Sequence, residues 1–226
     1  MADIADAALL RVLQLASPAL PIGGYAYSQG LEYAIEQDWV TDLDSAAAWL
    51  TALAERSLGR LDIPVLLRQY AALQEADENR FAEWNDWLLA SRETAELYLE
   101  DSQQGGALLR LMKSLEVPSA MAWRTGEPLA LISAFAMAGQ HWHTGPNPLA
   151  LGVLWSWLEN QTGAATKLIP LGQTDAQRLL DRLLPALPPI VEQAAGLADE
   201  ELGAGLPGLA FASARHEQQY TRLFRS

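Results

Sequence analysis

The stretch PLALISAFAMAGQHWHTGPNPLALGVLWSWL, residues 128–158, contains no Asp, Glu, Lys or Arg. Two apolar runs flank its polar centre, QHWHTGPNP, at residues 140–148. Each run falls short of the roughly 20 apolar residues that a membrane-spanning helix needs. The pattern therefore predicts two buried helices joined by a polar turn, which form a hairpin in the core of a helical fold.

The rest of the chain also carries helical patterns. Strict alternation of apolar and polar residues is rare, Ala and Leu dominate, and Val and Ile are few, which disfavours strands. A first helix is predicted over residues 5–15, and Trp49, Leu50 and Leu53 form a further helical stripe. We predict an all-α fold, a single-domain bundle of roughly 8–10 helices over residues 1–226 with flexible termini.

Prolines and glycines mark the predicted interruptions. Pro64 predicts either a break or the fresh start of a helix. Gly105 and Gly106 lie at the end of a helix predicted to begin near residue 91, where they either bend it or allow a neighbouring element to approach closely. The last helix is predicted over about residues 189–197.

The C-terminal residues differ in composition from the acidic body. Residues 203–208 are rich in Gly and contain a Pro, which is typical of a loop. A mixture of basic and aromatic side chains follows in residues 209–226. We predict that the fold proper ends near residue 198 and that residues 203–226 form a glycine-rich loop and a tail, which is either solvated or a docking segment.

The charge balance limits the possible partners. The chain has 15 basic and 28 acidic residues, a formal net charge of −13, which repels phosphate backbones and anionic lipid headgroups. Nucleic acid and membranes are therefore not expected as partners, whereas solubility and attraction of a basic partner both remain open as reasons for the acidity. The chain has no Cys and its first residues do not read as a secretory signal, so we expect a cytoplasmic protein.

Residues that could bind a metal or catalyse a reaction are sparse. The three histidines are His141, His143 and His216, and residues two apart on a helix point in nearly opposite directions. The chain has no HExxH, P-loop, GxGxxG or GxSxG motif. Its carboxylate pairs, such as Asp42 and Asp44, are expected by chance in an acidic chain. We therefore expect no enzyme, no resident metal and no cofactor.

Three longer stretches are more specific. They are SPALPIGGYAYSQGLE at residues 17–32, ATKLIPLGQ at residues 165–173 and RHEQQYTRLFRS at residues 215–226. Together and in this order they resemble the UreF family of urease accessory proteins. The run SRETAE at residues 91–96 resembles the family as well, whereas LEDSQQGG at residues 99–106 departs from its pattern.

The resemblance implies an all-α accessory protein that forms a homodimer and has no catalytic residues. It implies three partners, UreD (called UreH in some organisms), the GTPase UreG and the urease apoprotein, and a role as scaffold and checkpoint, a chaperone in nickel insertion. If nickel contacts this chain, the candidate ligands are His143, His216, Met112 and Met121. One alternative is a nickel-binding carrier, a nickel store built on the histidines. Another is a helical enzyme built on an acidic cluster.

The resemblance also implies two groups of partner-binding residues. The GTPase would contact the loop at residues 21–25 and Gln29, Glu32, Tyr33, Lys167 and Gln173. UreD would bind the first helix and a tail that becomes ordered there, with Arg222, Phe224 and Arg225. The chemistry of two residues leaves alternatives open. Lys167 either snorkels at a helix end or meets an acidic partner, and Tyr33 would also fit a packed core.

Overall fold

Helices make up the regular structure of the computed structural model, which describes residues 2–203 and 205–226. In chain order the α-helices are α1 Ala2–Leu15, α2 Leu31–Glu36, α3 Leu43–Leu53, α4 Ile63–Gln74, α5 Glu78–Ala90, α6 Ala95–Ser114, α7 Pro118–Ala122, α8 Leu131–His141, α9 Pro146–Leu168, α10 Gln173–Leu183, α11 Leu187–Gly196 and α12 Pro207–His216. Short 3-10 turns lie at Gly24–Ala26, Leu184–Ala186 and Asp199–Glu201, and a π-helical segment at Ala54–Asp62. Within these ranges there is no strand, and ten of the helices have ten residues or more. The all-α class and the predicted number of helices are confirmed.

The uncharged stretch forms the centre of this fold, as predicted. Every residue of α8 from 132 to 139 is buried, which is typical of a helix surrounded by others. Helix α8 packs against α4 and α6, and α9 packs against α1, α4, α10 and α11. The two helices approach closely at Gly139, where an added Cβ would lie 2.4 Å from a Leu149 methyl carbon. No helix in the described ranges combines the length and the apolar character that crossing a membrane requires.

The start of α8 is capped by side chains of neighbouring helices. Its N-cap residue, Ala130, has no side chain able to accept a hydrogen bond. Instead, Asn85 Oδ1 accepts the Ala130 N–H at 2.9 Å, and Asp101 Oδ1 accepts the Leu131 N–H at 2.7 Å. These bonds satisfy two of the N–H groups that a helix start leaves unpaired, and they fix α8 to α5 and α6.

Gly105 and Gly106 lie inside α6, which continues to Ser114. An added Cβ on Gly105 would stand 1.9 Å from the Leu129 carbonyl oxygen, whereas the nearest atom to one on Gly106 is 3.6 Å away. Gly105 therefore allows the close approach of a neighbouring element and does not bend the helix. It lets the backbone of α6 touch the segment that enters α8.

Pro64 does not interrupt the helical path. The π-helical segment leads directly into α4, in which Pro64 occupies the first turn. Because Pro64 has no N–H, it cannot donate to the Arg60 carbonyl as a residue in a regular α-helix would. The Gly203 N–H donates to this carbonyl instead, at 2.9 Å. The contact ties the segment before α12 to the body of the fold.

The C-terminal part of the chain corrects the predicted end of the fold. The helix predicted at about residues 189–197 is α11, but α12 follows it and the tail beyond packs on the body, with Leu209 and Phe224 buried. The prediction of a fold that ends near residue 198, followed by a flexible C-terminus, is wrong because the tail's contacts come from residues far away in sequence. The predicted flexibility at Met1 lies outside the described residues.

Candidate protein-binding site

The tail after α12, residues 217–226, crosses the segment that precedes α2. The Arg225 N–H donates to the Ala26 carbonyl at 2.8 Å, and the Ser28 N–H donates to the Ser226 carbonyl at 3.0 Å. The Ser28 hydroxyl donates to the same carbonyl at 2.5 Å. The first and the last of the three motif stretches are therefore in direct contact, although Ser28 and Ser226 are 198 residues apart in sequence.

Glu32 of α2 holds this tail through its carboxylate. Its Oε1 accepts the Leu223 N–H at 2.7 Å, and its Oε2 accepts the Phe224 N–H at 2.9 Å. The preceding Gly30 has φ +75°, and a Cβ there would lie 3.0 Å from the Ala212 side chain of α12, so both its conformation and its surroundings favour glycine. Glu32, predicted to contact a partner, is only 8% exposed and serves as an internal acceptor.

His216, the last residue of α12, lies between two carboxylates. Its Nε2 is 3.1 Å from Glu32 Oε2, and its Nδ1 is 2.8 Å from Glu96 Oε2. The imidazole is fully buried. Arg222 of the tail donates to Glu96 Oε1 at 2.9 Å. Arg222, predicted to dock on a partner, is thus already paired within the chain, although 41% of its side chain remains exposed.

Glu100 of α6 is a further buried carboxylate beside the tail. Gln29 and Gln104 donate to its Oε1 at 2.8 Å and 3.1 Å, and the Ser226 hydroxyl donates to its Oε2 at 2.7 Å. Burial raises the pKa of Glu100 to about 7, while the hydrogen bonds from Ser226 and Gln29 act in the opposite direction. Trp157 of α9 donates to the Gln29 side-chain oxygen at 2.7 Å. Gln29, predicted to contact a partner, therefore bridges α6 and α9.

Lys167 brings the second motif stretch to the same place. It is exposed in the last turn of α9, and its Nζ lies 5.5 Å from the centroid of the Phe224 ring. Phe224 is itself buried, with 6% exposure. All three stretches that carry the family resemblance therefore meet at one region of the surface, which we call the tail cluster: the tail together with Gln29, Glu32, Glu96, Glu100, Lys167 and His216.

The tail has one buried and one exposed face. Phe224 and Ser226 point into the chain, whereas Tyr220 is fully exposed and Leu223 is 63% exposed. Arg225 is exposed as well, although its backbone is held by Ala26. Exposed aromatic, aliphatic and arginine side chains next to one another are typical of protein–protein contacts.

Two predicted residues lie outside the tail cluster. Tyr33 is half-buried, with ring centroids of Trp39 and Phe211 at 5.8 Å and 6.1 Å from its own, which fits the alternative of a packed aromatic residue. Gln173 is the exposed first residue of α10. No hydrogen bond among the described residues connects its side chain to the tail cluster.

A cavity of about 450 Å³ lies beside the tail cluster and is lined in part by Gln29, Glu100 and Lys167. Its wall holds five carboxylates and two cationic side chains, namely Asp62, Glu93, Glu100, Asp101 and Glu159 against Arg92 and Lys167. Arg92 pairs with both Asp62 and Asp101, and burial raises the pKa of Glu100 and of Asp101. The net negative charge of the wall is therefore smaller than this count, but it still favours cations over anions.

The candidate nickel ligands do not come together. In the part of the chain that the structure describes, no group of three or more His, Cys, Asp or Glu side chains is placed to hold a metal ion. Met112 is buried, whereas His143 and Met121 are exposed. The two nitrogens of His216 face Glu32 and Glu96 on opposite sides of the ring, so these three side chains cannot bind one ion together.

Most of the residues predicted from the sequence lie in the tail cluster, but most of the groups that hold them there were missed. Sequence reasoning named Gln29, Glu32, Lys167, Arg222, Phe224 and Arg225. It took Glu96 for one of the carboxylate pairs expected by chance, and it did not name the other main internal partners, which are Ser28, Glu100, Gln104 and Trp157. Ser28 and Glu96 lie in stretches that resemble the family, which is a usable signal, but Glu100 lies in the stretch that departs from it.

Comparison with known proteins extends the resemblance over nearly the whole chain. The UreF family model matches residues 40–184. A urease accessory protein UreF of Teredinibacter turnerae is 50% identical over 218 residues, which cover 96% of this chain and 98% of that protein. A protein of the same name from Pseudomonas entomophila is 51% identical, with 98% and 99% covered. The one from Chromohalobacter salexigens is 49% identical, with 97% and 95% covered.

Proposed function

This chain belongs to the UreF family of urease accessory proteins, and we propose that it links UreD and the GTPase UreG during nickel delivery to apo-urease. The family consists of accessory proteins and not of enzymes. In this proposal the chain is a cytoplasmic scaffold and checkpoint. It positions UreG so that GTP hydrolysis and nickel release occur only when urease is engaged.

The convergence of the three motif stretches at the tail cluster is the observation that supports this proposal best. Residues 17–32, 165–173 and 215–226 share no local structure, yet they form one continuous set of contacts. A catalytic function would favour reactive groups left free in a cleft. Here the buried carboxylates Glu32, Glu96 and Glu100 and the buried His216 are all hydrogen-bonded, and the exposed residues are those suited to protein contacts.

We assign UreD to the exposed face of the tail and to α1. The tail presents Tyr220 and Leu223, and α1 presents Leu9, Leu10 and Leu13, each more than half exposed. A stripe of leucines on one side of a helix is typical of a covered surface. In this proposal UreD would bind the exposed face of the tail while its other face packs on its own chain.

We assign UreG to Lys167 of the tail cluster together with Tyr25 and Gln173, which lie outside it. Tyr25 is 73% exposed in the loop before α2, and Lys167 forms no salt bridge within the described ranges. An exposed cation on an otherwise acidic protein would orient an acidic patch of a partner.

We propose the acidic cavity as a passage through which nickel moves without being stored. Its carboxylates would attract a divalent cation, whereas the absence of a three-ligand group among the described residues argues against tight retention. Nickel is the cargo in this scheme, and the chain holds no resident metal.

Co-purification of the tagged full-length chain with UreD and UreG tests the scaffold. The wild type should capture both partners. Lys167→Glu should lose UreG, and the double variant Tyr220→Ala, Leu223→Ala should lose UreD. Arg178→Glu, which reverses an exposed cation on α10, is the matched control and should capture both. Retention of both partners by all variants would contradict the assigned surfaces.

Two further measurements separate the remaining possibilities. Equilibrium dialysis of the isolated protein against nickel should show no tight stoichiometric binding, and a tight site would favour the carrier alternative. Light scattering should give the mass of a homodimer. If Leu10→Glu abolishes the dimer and spares UreD capture, the α1 stripe belongs to self-association and not to UreD.

A further inference from the structure

The position of His216 requires its imidazole to be protonated when the tail is packed. Its two ring nitrogens lie 2.8 Å and 3.1 Å from carboxylate oxygens of Glu96 and Glu32. A neutral imidazole carries a single N–H and would face one of these oxygens with a lone pair. Only the imidazolium donates to both carboxylates, so the packed arrangement requires a charged His216.

Both carboxylates have further partners that favour their ionised forms. Glu32 accepts two backbone N–H groups, from Leu223 and Phe224, and Glu96 accepts the guanidinium of Arg222. Hydrogen bonds and an opposite charge both stabilise an ionised carboxylate. The proton of this group therefore belongs on the imidazole and not on either glutamate.

The charged groups around His216 come from three elements: its ring nitrogens contact Glu32 of α2 and Glu96 of α6, and Arg222 of the tail pairs with Glu96. With His216 charged, its two carboxylate partners are balanced by the imidazolium and by Arg222. Loss of the imidazole proton leaves a buried negative charge without a counterpart, together with a lone pair facing an anion. Buried charges that lose their partner are strongly destabilising.

We propose that His216 is a pH-sensitive latch, which holds residues 217–226 on α2 and α6 while it is protonated and releases them when it loses the proton. The packed state binds one more proton than the released state, so packing weakens as pH rises. Release exposes the buried face of the tail, including Phe224, and frees Glu32. This inference rests on the geometry of the cluster and does not depend on the proposed function.

Nuclear magnetic resonance of the full chain labelled with 15N-histidine tests the charge state directly. The chain has only three histidines, so His216 can be assigned with one substituted variant. At about pH 6 both ring nitrogens of His216 should show the protonated signature, and on raising the pH the signature should change to that of a neutral ring only where the tail is released.

Hydrogen exchange at the Leu223 and Phe224 amides measures the release, because both amides donate to Glu32. After division by the intrinsic exchange rate at each pH, their exchange should accelerate at least about tenfold as His216 loses its proton, as expected for losing a hydrogen bond to a charged group. Constant protection while His216 becomes neutral, or a neutral His216 in the protected state, would overturn the proposal.

Glu96→Gln removes the proton requirement without removing the contact. The amide can donate to Nδ1 of a neutral imidazole and still accept from Arg222, so protection of the two amides should no longer depend on pH. His143→Gln, which changes an exposed histidine, should keep the wild-type pH dependence. If Glu96→Gln retains the full pH dependence, His216 is not the latch.

Discussion

The α8–α9 hairpin and the tail cluster are held by different kinds of interaction. The hairpin is apolar, and α8 is surrounded by other helices along its buried run from 132 to 139. The tail cluster buries Glu32, Glu96, Glu100 and His216 in one network of hydrogen bonds. Apolar packing is insensitive to pH and intolerant of added volume. A polar network responds to protons and can open locally, so the comparison separates a rigid centre from an adjustable surface.

The largest effect should come from adding one methyl group beside the hairpin. Gly105→Ala would place a Cβ 1.9 Å from the Leu129 carbonyl oxygen, and because that atom belongs to the backbone, α6 and α8 must separate. We expect the free energy of unfolding to fall by about 3 kcal/mol or more, at or above the usual range for overpacking. Urea denaturation measures the change.

Gly106→Ala is the matched control for this substitution. Its Cβ would find its nearest atom, on the flexible Arg110 side chain, at 3.6 Å. Since alanine is the better helix former, the variant should be unchanged or more stable by roughly 0.5–1 kcal/mol. Equal losses for both variants would mean that α6 does not approach the start of α8 as closely as described.

The hairpin could be predicted from the sequence because its signal is local. The lack of charge over residues 128–158 shows that the segment is buried, and its polar centre marks the turn. The pair Gly105–Gly106 left two roles open, since no pattern in the sequence shows that the segment entering α8 passes beside Gly105 alone.

The tail cluster could not be predicted in the same way. Its defining contact joins Glu32 to His216, which are 184 residues apart in sequence. Read locally, Glu32 is one acidic residue among 28 acidic residues in the chain, and residues 203–208 read as a loop that ends the fold. The family resemblance identified the right stretches, but only the fold shows that they hold one another.

The pH dependence of stability should show the contribution of Glu100. Burial raises the pKa of this carboxyl from 4.5 to about 7, so between these values the folded chain binds more protons at this group than the unfolded chain does. Its contribution is therefore full below about pH 4.5 and is lost as pH rises towards 7, by roughly 2–3 kcal/mol.

Glu100→Gln isolates this contribution, since other groups titrate as well. The glutamine can still accept from Gln29 and donate to the Ser226 hydroxyl. Thermal unfolding between about pH 4.5 and 7.5 should give a difference from the wild type that grows in the variant's favour as pH rises. Glu93→Gln, an exposed carboxylate, should show no such trend, and a flat difference for Glu100→Gln would place its titration outside this range.

A smaller effect is expected for Glu32→Gln. The amide nitrogen cannot accept the bonds that the carboxylate receives from Phe224 and His216, so the packed tail should weaken by roughly 2 kcal/mol. The free energy of global unfolding cannot fall by more than the free energy of releasing the tail, because the chain with a released tail keeps its apolar centre. Exchange of the Leu223 and Phe224 amides should accelerate, while exchange of the α8 amides should accelerate less or stay unchanged. Glu83→Gln, an exposed carboxylate on α5, is the control and should leave both sets of amides unchanged.

The smallest effect on stability should come from Lys167→Gln. The ammonium lies 5.5 Å from the Phe224 ring centroid and is exposed, and cation–π contacts at exposed sites contribute about 0.5–1 kcal/mol at most. Urea denaturation and the exchange of the Leu223 amide should therefore change little, while capture of UreG is lost. This combination would assign Lys167 to recognition. If instead the tail amides lose as much protection as in Glu32→Gln, Lys167 belongs to the internal contacts of the tail cluster. The surface that binds UreG would then begin beyond Lys167, on α10.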